Sequence, residues 1–187
     1  PGATLRVGQL VMPYGMEQYV FSSNTLEFTE RATTDVIASR DAGIVVSNDR
    51  PFFGWFSYAA AVTNGTRQNV ADNNNDKDGI VRLTATPGRL PGFSLGVNGM
   101  RGAQPDGMRT RVGADVSYER RLFRIAAELD TEQTGEGSEK RAAYAFGAWR
   151  LHPRTVRPWF HHAEVGARYI RTRNLLAPLN QWDLSGI

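Results

Sequence analysis

The sequence alternates. Thr110, Val112, Ala114, Val116 and Tyr118 fall on one side of an extended segment, and Arg109, Arg111, Gly113, Asp115, Ser117 and Glu119 on the other. Phe123, Ile125, Ala127 and Leu129 likewise oppose Arg124, Ala126, Glu128 and Asp130, and Phe93, Leu95 and Val97 oppose Ser94, Gly96 and Asn98. Trp159, His161, Ala163, Val165, Ala167 and Tyr169 oppose Phe160, His162, Glu164, Gly166 and Arg168. A period of two belongs to β-strands, whose successive side chains point to opposite faces, whereas a helix repeats every 3.6 residues. The pattern predicts nine strands, over 4–12, 42–48, 52–63, 79–86, 92–100, 109–119, 123–130, 141–151 and 159–169, and no convincing helix.

Such rows suit either a soluble β-sandwich or a transmembrane barrel, and composition discriminates. The 187 residues include no Cys, which excludes a disulfide framework, a thiolate metal site and a cysteine nucleophile. No apolar run reaches the roughly 18 residues of a membrane-spanning helix. The cations are 20 Arg and 2 Lys (Lys77, Lys140). A sandwich exposes mixed Lys, Glu, Thr and Ser on its wet faces, but here the polar rows carry Arg, Asp, Glu and Gly. The apolar rows contain Ala114, Ala127, Ala163 and Ala167, which fill a core poorly and lie comfortably against lipid. Phe52, Phe53, Tyr118, Trp149, Trp159 and Tyr169 cluster near strand ends, as interfacial girdles do. Long connections (13–40, 64–78, 132–140) alternate with shorter ones, as in outer-membrane barrels. The expected fold is an all-β, antiparallel transmembrane β-barrel. Nine strands is odd where bacterial single-chain barrels use even numbers. Residues 1–187 are therefore expected to be a single partial barrel domain, an internal piece of a longer protein.

Leu5-Arg-Val-Gly-Gln-Leu-Val-Met-Pro-Tyr-Gly-Met-Glu-Gln18 resembles the opening of the phosphate-selective porin (porin O and P) family: a strand ending in Val-Gly-Gln, then Pro-aromatic-Gly, then Glu-Gln. Ser22-Ser23-Asn24, Phe28 to Arg31, Ser39 to Gly43 and Tyr58 to Gly65 continue the resemblance, and Ala163 to Tyr169 is similar to a later family segment. The resemblance is specific mainly in 5–65. It implies a sixteen-stranded porin of the bacterial outer membrane, a homotrimer surrounded by outer-membrane lipid. Such a channel passes inorganic phosphate or other small anions by passive diffusion. It also implies that 13–40 includes a loop folded inward to form a constriction.

Guanidinium groups suit an anion path: they stay charged, are weakly hydrated and match phosphate oxygens with a planar fork. By alternation the candidates facing the lumen are Arg6, Arg82, Arg109, Arg111, Arg124 and Arg168, with Arg31 and Arg40 in the constriction loop. The competing reading has these arginines paired with Glu119, Glu128, Asp130 and Glu164, stiffening the wall. The sequence also departs from the family, whose phosphate selectivity goes with constriction lysines. Both lysines here fall in expected external loops, and 13–40 carries Glu17, Glu27, Glu30 and Asp35 against two Arg.

Other motifs lead less far. Gly92-Phe-Ser-Leu-Gly96 has the spacing of a nucleophile elbow, which needs a sharp strand-to-helix turn, but Ser94 sits inside an alternating strand. His161 and His162 point to opposite faces, and Asp72 to Gly79 lacks the closing Glu of a calcium loop. No catalytic residue, metal site, cofactor or nucleic-acid partner is expected. The alternative from another class is a soluble β-sandwich binding carbohydrate or nucleic acid.

Overall fold

The computed structural model describes residues 2–20, 40–72, 75–104, 107–135, 139–150, 164–174 and 177–183. They form one antiparallel sheet of ten strands in chain order: β1 (Ala3–Val11), β2 (Arg40–Asn48), β3 (Phe56–Thr63), β4 (Asp78–Ala85), β5 (Phe93–Gln104), β6 (Gly107–Arg120), β7 (Phe123–Thr134), β8 (Glu139–Arg150), β9 (Glu164–Asn174) and β10 (Ala177–Asp183). Strands β1 and β10 are its edges. The one helix among the described residues, α1 (Met16–Tyr19), is a single turn. Each strand pairs with its chain neighbour, and no second sheet faces this one among the described residues. A single open antiparallel sheet is consistent with a partial β-barrel and differs from the two facing sheets of the sandwich kept as the alternative.

Three expectations need correction. There are ten strands, not nine. The extra one, β10, begins Ala-Pro and lacks an apolar row. Pro178 has no N–H to donate, and an edge strand is where a sheet tolerates that. The strand expected over 52–63 starts at Phe56, because Phe52 bridges back to Phe56 across a turn with Phe53 and Gly54 at positive φ. The ladder also runs well past the apolar rows. At about 3.4 Å per residue the 14-residue β6 is some 45 Å long, where an apolar band measures about 25 Å. Polar pairs such as Thr110–Gln133 and Arg111–Glu132 continue it. The connection from β5 to β6 therefore shrinks to 105–106 and that from β7 to β8 to 135–138, so long and short connections do not alternate strictly. The strand expected at 159–169 is observed from Glu164 onward, with Trp159 and the three histidines outside the described residues.

The two faces are inverted relative to a water-soluble sheet. Leu5, Val7, Ile44, Val62, Val81, Leu95, Val97, Val112, Ile125, Leu129 and Val165 are exposed, Val7 at 69% and Leu129 at 63%. On the opposite face Arg82, Asp115, Glu128, Asp130 and Arg168 are each 3% exposed or less. The exposed face is also banded. Phe93, Tyr118, Phe123 and Trp149 stand at the end of the 121–122 turn, with Phe123 and Trp149 edge to face at 6.3 Å. Phe52 and Tyr58 stack at 5.9 Å near the same end. Tyr169, by contrast, is opposite Ala145 in mid-strand.

Candidate functional site

Cross-strand register fixes which side chains share the covered face. Partners in an antiparallel ladder point to the same side. Arg6 is opposite Val45, Val45 opposite Ala61, Ala61 opposite Ile80 and Ile80 opposite Met100. Arg82 is opposite Asn98, Asp115 opposite Glu128, Glu128 opposite Tyr144, and Phe146 opposite Arg168. Arg6, Arg82, Arg109, Arg111, Arg124 and Arg168 therefore lie on one face. Arg40 does not join them: it opens β2, exposed, in the outward row with Ala42 and Ile44. Arg31 lies outside the described residues.

The buried arginines sit in tight pairs. Arg82 forks onto Asp115, with Nη1 to Oδ2 at 2.6 Å and Nη2 to Oδ1 at 2.9 Å, and also donates to the Asn98 side-chain oxygen. Arg109 Nη2 is 2.7 Å from Asp78 Oδ2, and Arg111 Nε meets Glu132. Arg168 Nη1 lies 3.4 Å from Glu17 Oε1. Arg124, half buried, is 3.6 Å from Glu119. The wall-stiffening alternative named the wrong carboxylates in part. Glu119 pairs, but Glu128 and Asp130 take no arginine partner among the described residues. Glu164 has no described side chain. Arg6 is exposed and has no ion-pair partner among the described residues. The buried charges on and against this face are Arg82, Arg109, Arg111 and Arg168, against Glu17, Asp41, Asp78, Asp115, Glu128, Asp130 and Glu132.

The chain after β1 turns onto this face. Met12 and Tyr14 pack against Val45, Ala61, Ile80, Met100 and Ala142, an apolar patch that the alternation of the later strands did not reveal. Met16 packs against Ala126, Tyr144 and Phe146. Polar contacts then pin the backbone. Gly15 N donates to Asn98 Oδ1 at 3.2 Å, Met16 N to Glu128 Oε1 at 3.1 Å and Glu17 N to Glu128 Oε2 at 3.0 Å. Tyr144 Oη donates to Glu128 Oε2 at 3.0 Å. Glu128 thus supplies acceptors for N–H groups that a one-turn helix leaves without internal partners. Gly113 makes room for this: a methyl group there would lie 3.1 Å from the Tyr14 hydroxyl and 3.0 Å from Asn98 Nδ2, and would overlap Asp130. Burial pushes the Tyr14 phenol well above the ordinary tyrosine range, and the Asp130 charge adds to it.

Residues 12–20 thus lie on the charged face, and 21–39 lie outside the described residues. The sequence offered Glu17 only as one acid of a long connection and Glu128 as an arginine partner. Their roles as anchors follow from three-dimensional register and have no local signature. Ser94 sits in the ladder opposite Ser117, not at an exposed turn. Among the described residues no helix is long and apolar enough to cross a membrane. No family model, curated protein or solved structure matches the chain.

Proposed function

We propose that this chain forms part of an outer-membrane β-barrel pore, of the phosphate-selective porin kind its opening residues resemble. Small anions, inorganic phosphate among them, cross it by diffusion. The observation that carries the reading is the inversion of the sheet: aliphatic rows exposed on one side, and six arginines gathered on the other. Water penalises the first arrangement, whereas lipid accepts it and leaves the polar face to a hydrated bore. In lipid the unpaired backbone groups of β1 and β10 need partners, so the sheet is part of a closed barrel. The segment 12–20 narrows that bore, and transport needs no reaction. Assembly as a homotrimer in the bacterial outer membrane completes the proposal.

A second reading of the selectivity rests on one observation: the buried carboxylates on and against the charged face outnumber the buried arginines. A wall so compensated passes small cations at least as readily as anions, with only the exposed Arg6 drawing anions in. Planar bilayer recordings across a potassium chloride gradient decide between the two. A reversal potential toward the chloride equilibrium value supports the anion pore, and one toward potassium supports the second reading. Absence of channels removes both.

A further inference from the structure

The exposed face ends in a row of arginines that the pore does not use. Arg141 on β8 is directly opposite Arg173 on β9, and Arg171 is the next outward residue along β9. Arg101 on β5 and Arg40 on β2 point the same way at the same end of the sheet. All five are exposed, the Arg141 side chain at 61%. Outward partners on adjacent strands stand about 5 Å apart, and like charges so placed repel. One carboxylate answers them among the described residues: Glu139 takes Arg141 at 2.5 Å. Arg40, Arg101, Arg171 and Arg173 have no ion-pair partner among the described residues.

The position of this row matters more than its charge. Arg171 is in register with Ala143 and through it with Leu129, and Arg141 with Thr131 and through it with Val112. The arginines therefore border the exposed aliphatic band, at the end opposite the aromatic cluster of Tyr118, Phe123 and Trp149. A lipid that covers Leu129 and Val112 with its acyl chain sets its headgroup at this level. A guanidinium pair with open donors matches a phosphate there by charge and by fork geometry.

We propose that Arg141, Arg171 and Arg173, with Arg101 and Arg40 along the same border, bind the phosphate groups of anionic lipid headgroups and so fix the depth and tilt of the sheet in its leaflet. The proposal rests on the membrane reading above. It is tested with the protein in vesicles of phosphatidylcholine mixed with phosphatidylglycerol, by measuring how far the anionic lipid is enriched in the lipid that co-purifies with it. Enrichment is expected, falling about fivefold for each arginine replaced, since one basic residue at a membrane surface attracts anionic lipid by about that factor. Arg141→Gln/Arg171→Gln/Arg173→Gln is expected to remove most of it, leaving only what Arg101 and Arg40 hold, and the corresponding lysine replacements to retain most of it. Unchanged enrichment in the triple glutamine variant overturns the proposal, as does its abolition by free inorganic phosphate at matched ionic strength. If the triple variant does not fold, Arg171→Gln alone decides, with a fivefold loss expected and no loss overturning the idea. Protease protection in pure phosphatidylcholine vesicles is read in parallel: protected strands without enrichment sink this proposal alone, and unprotected strands sink the membrane reading with it.

Discussion

The Glu128 carboxylate accepts the backbone N–H of Met16 at 3.1 Å, joining positions 112 residues apart. With Glu17 N and Tyr144 Oη on its other oxygen, it ties the chain after β1 to the middle of β7. Glu128→Ala strands three donors in a covered site, at about 1–3 kcal/mol for each left unsatisfied. Limited proteolysis is expected to cut the variant within 12–20 faster than the parent, with a lowered unfolding midpoint. Equal cutting rates would show that the apolar contacts of Met12, Tyr14 and Met16 hold the segment by themselves.

The Arg82–Asp115 fork makes a sharper energetic test. Removing one member of a buried pair leaves an uncompensated charge and costs about 3–5 kcal/mol, while replacing both with apolar residues of similar volume is often neutral. Arg82→Met is therefore expected to destabilise strongly, and Arg82→Met/Asp115→Leu to recover most of the loss. Denaturant unfolding of the parent, the two single variants and the double variant in one detergent closes the cycle.

Tyr14 gives a dependence on pH. Its phenol keeps its proton in the folded chain to higher pH than in the unfolded chain, where it ionises near pH 10. Stability is unaffected by this group below about pH 10 and is lost as the pH rises further, because the unfolded chain then releases a proton that the folded chain retains. Tyr14→Phe is expected to flatten the alkaline limb of the unfolding midpoint plotted against pH. An unchanged limb would mean that the ring is open to water.

The outward rows offer a test by charge. Leu95→Arg or Leu129→Arg places a guanidinium in the exposed aliphatic band, which at a bilayer midplane costs about 2–4 kcal/mol. Insertion into vesicles is expected to fall by well over tenfold, while Thr131→Arg, nearer the arginine border, changes it little. Comparable insertion of all three would argue against lipid contact at these rows.

Much of this architecture is legible in the sequence, because period-two alternation fixes strand faces wherever apolar and charged residues alternate strictly. The outward rows through Leu95 and Val97 on β5, Val112 on β6 and Ile125 on β7 are read directly, and so is the common face of Arg6, Arg82, Arg109, Arg111, Arg124 and Arg168. Three kinds of feature are not. The ladder beyond the apolar band, as at Thr110–Gln133, is held by backbone hydrogen bonds and has no hydropathy signal. Strand β10 lacks an apolar row. The partner of each arginine depends on register between strands: Asp78 lies 31 residues before Arg109, and nothing local links them.

The absence of cysteine makes the central claim directly measurable with single-cysteine variants in vesicles. Leu129→Cys and Val112→Cys report on the outward rows and Arg6→Cys on the charged face, each carrying a fluorophore or challenged with a water-soluble thiol reagent. The account expects lipid-borne quenchers to reach labels at 129 and 112, and the aqueous reagent to reach only the cysteine at position 6. Rapid aqueous labelling at 129 and 112, with no quenching from lipid, would contradict it.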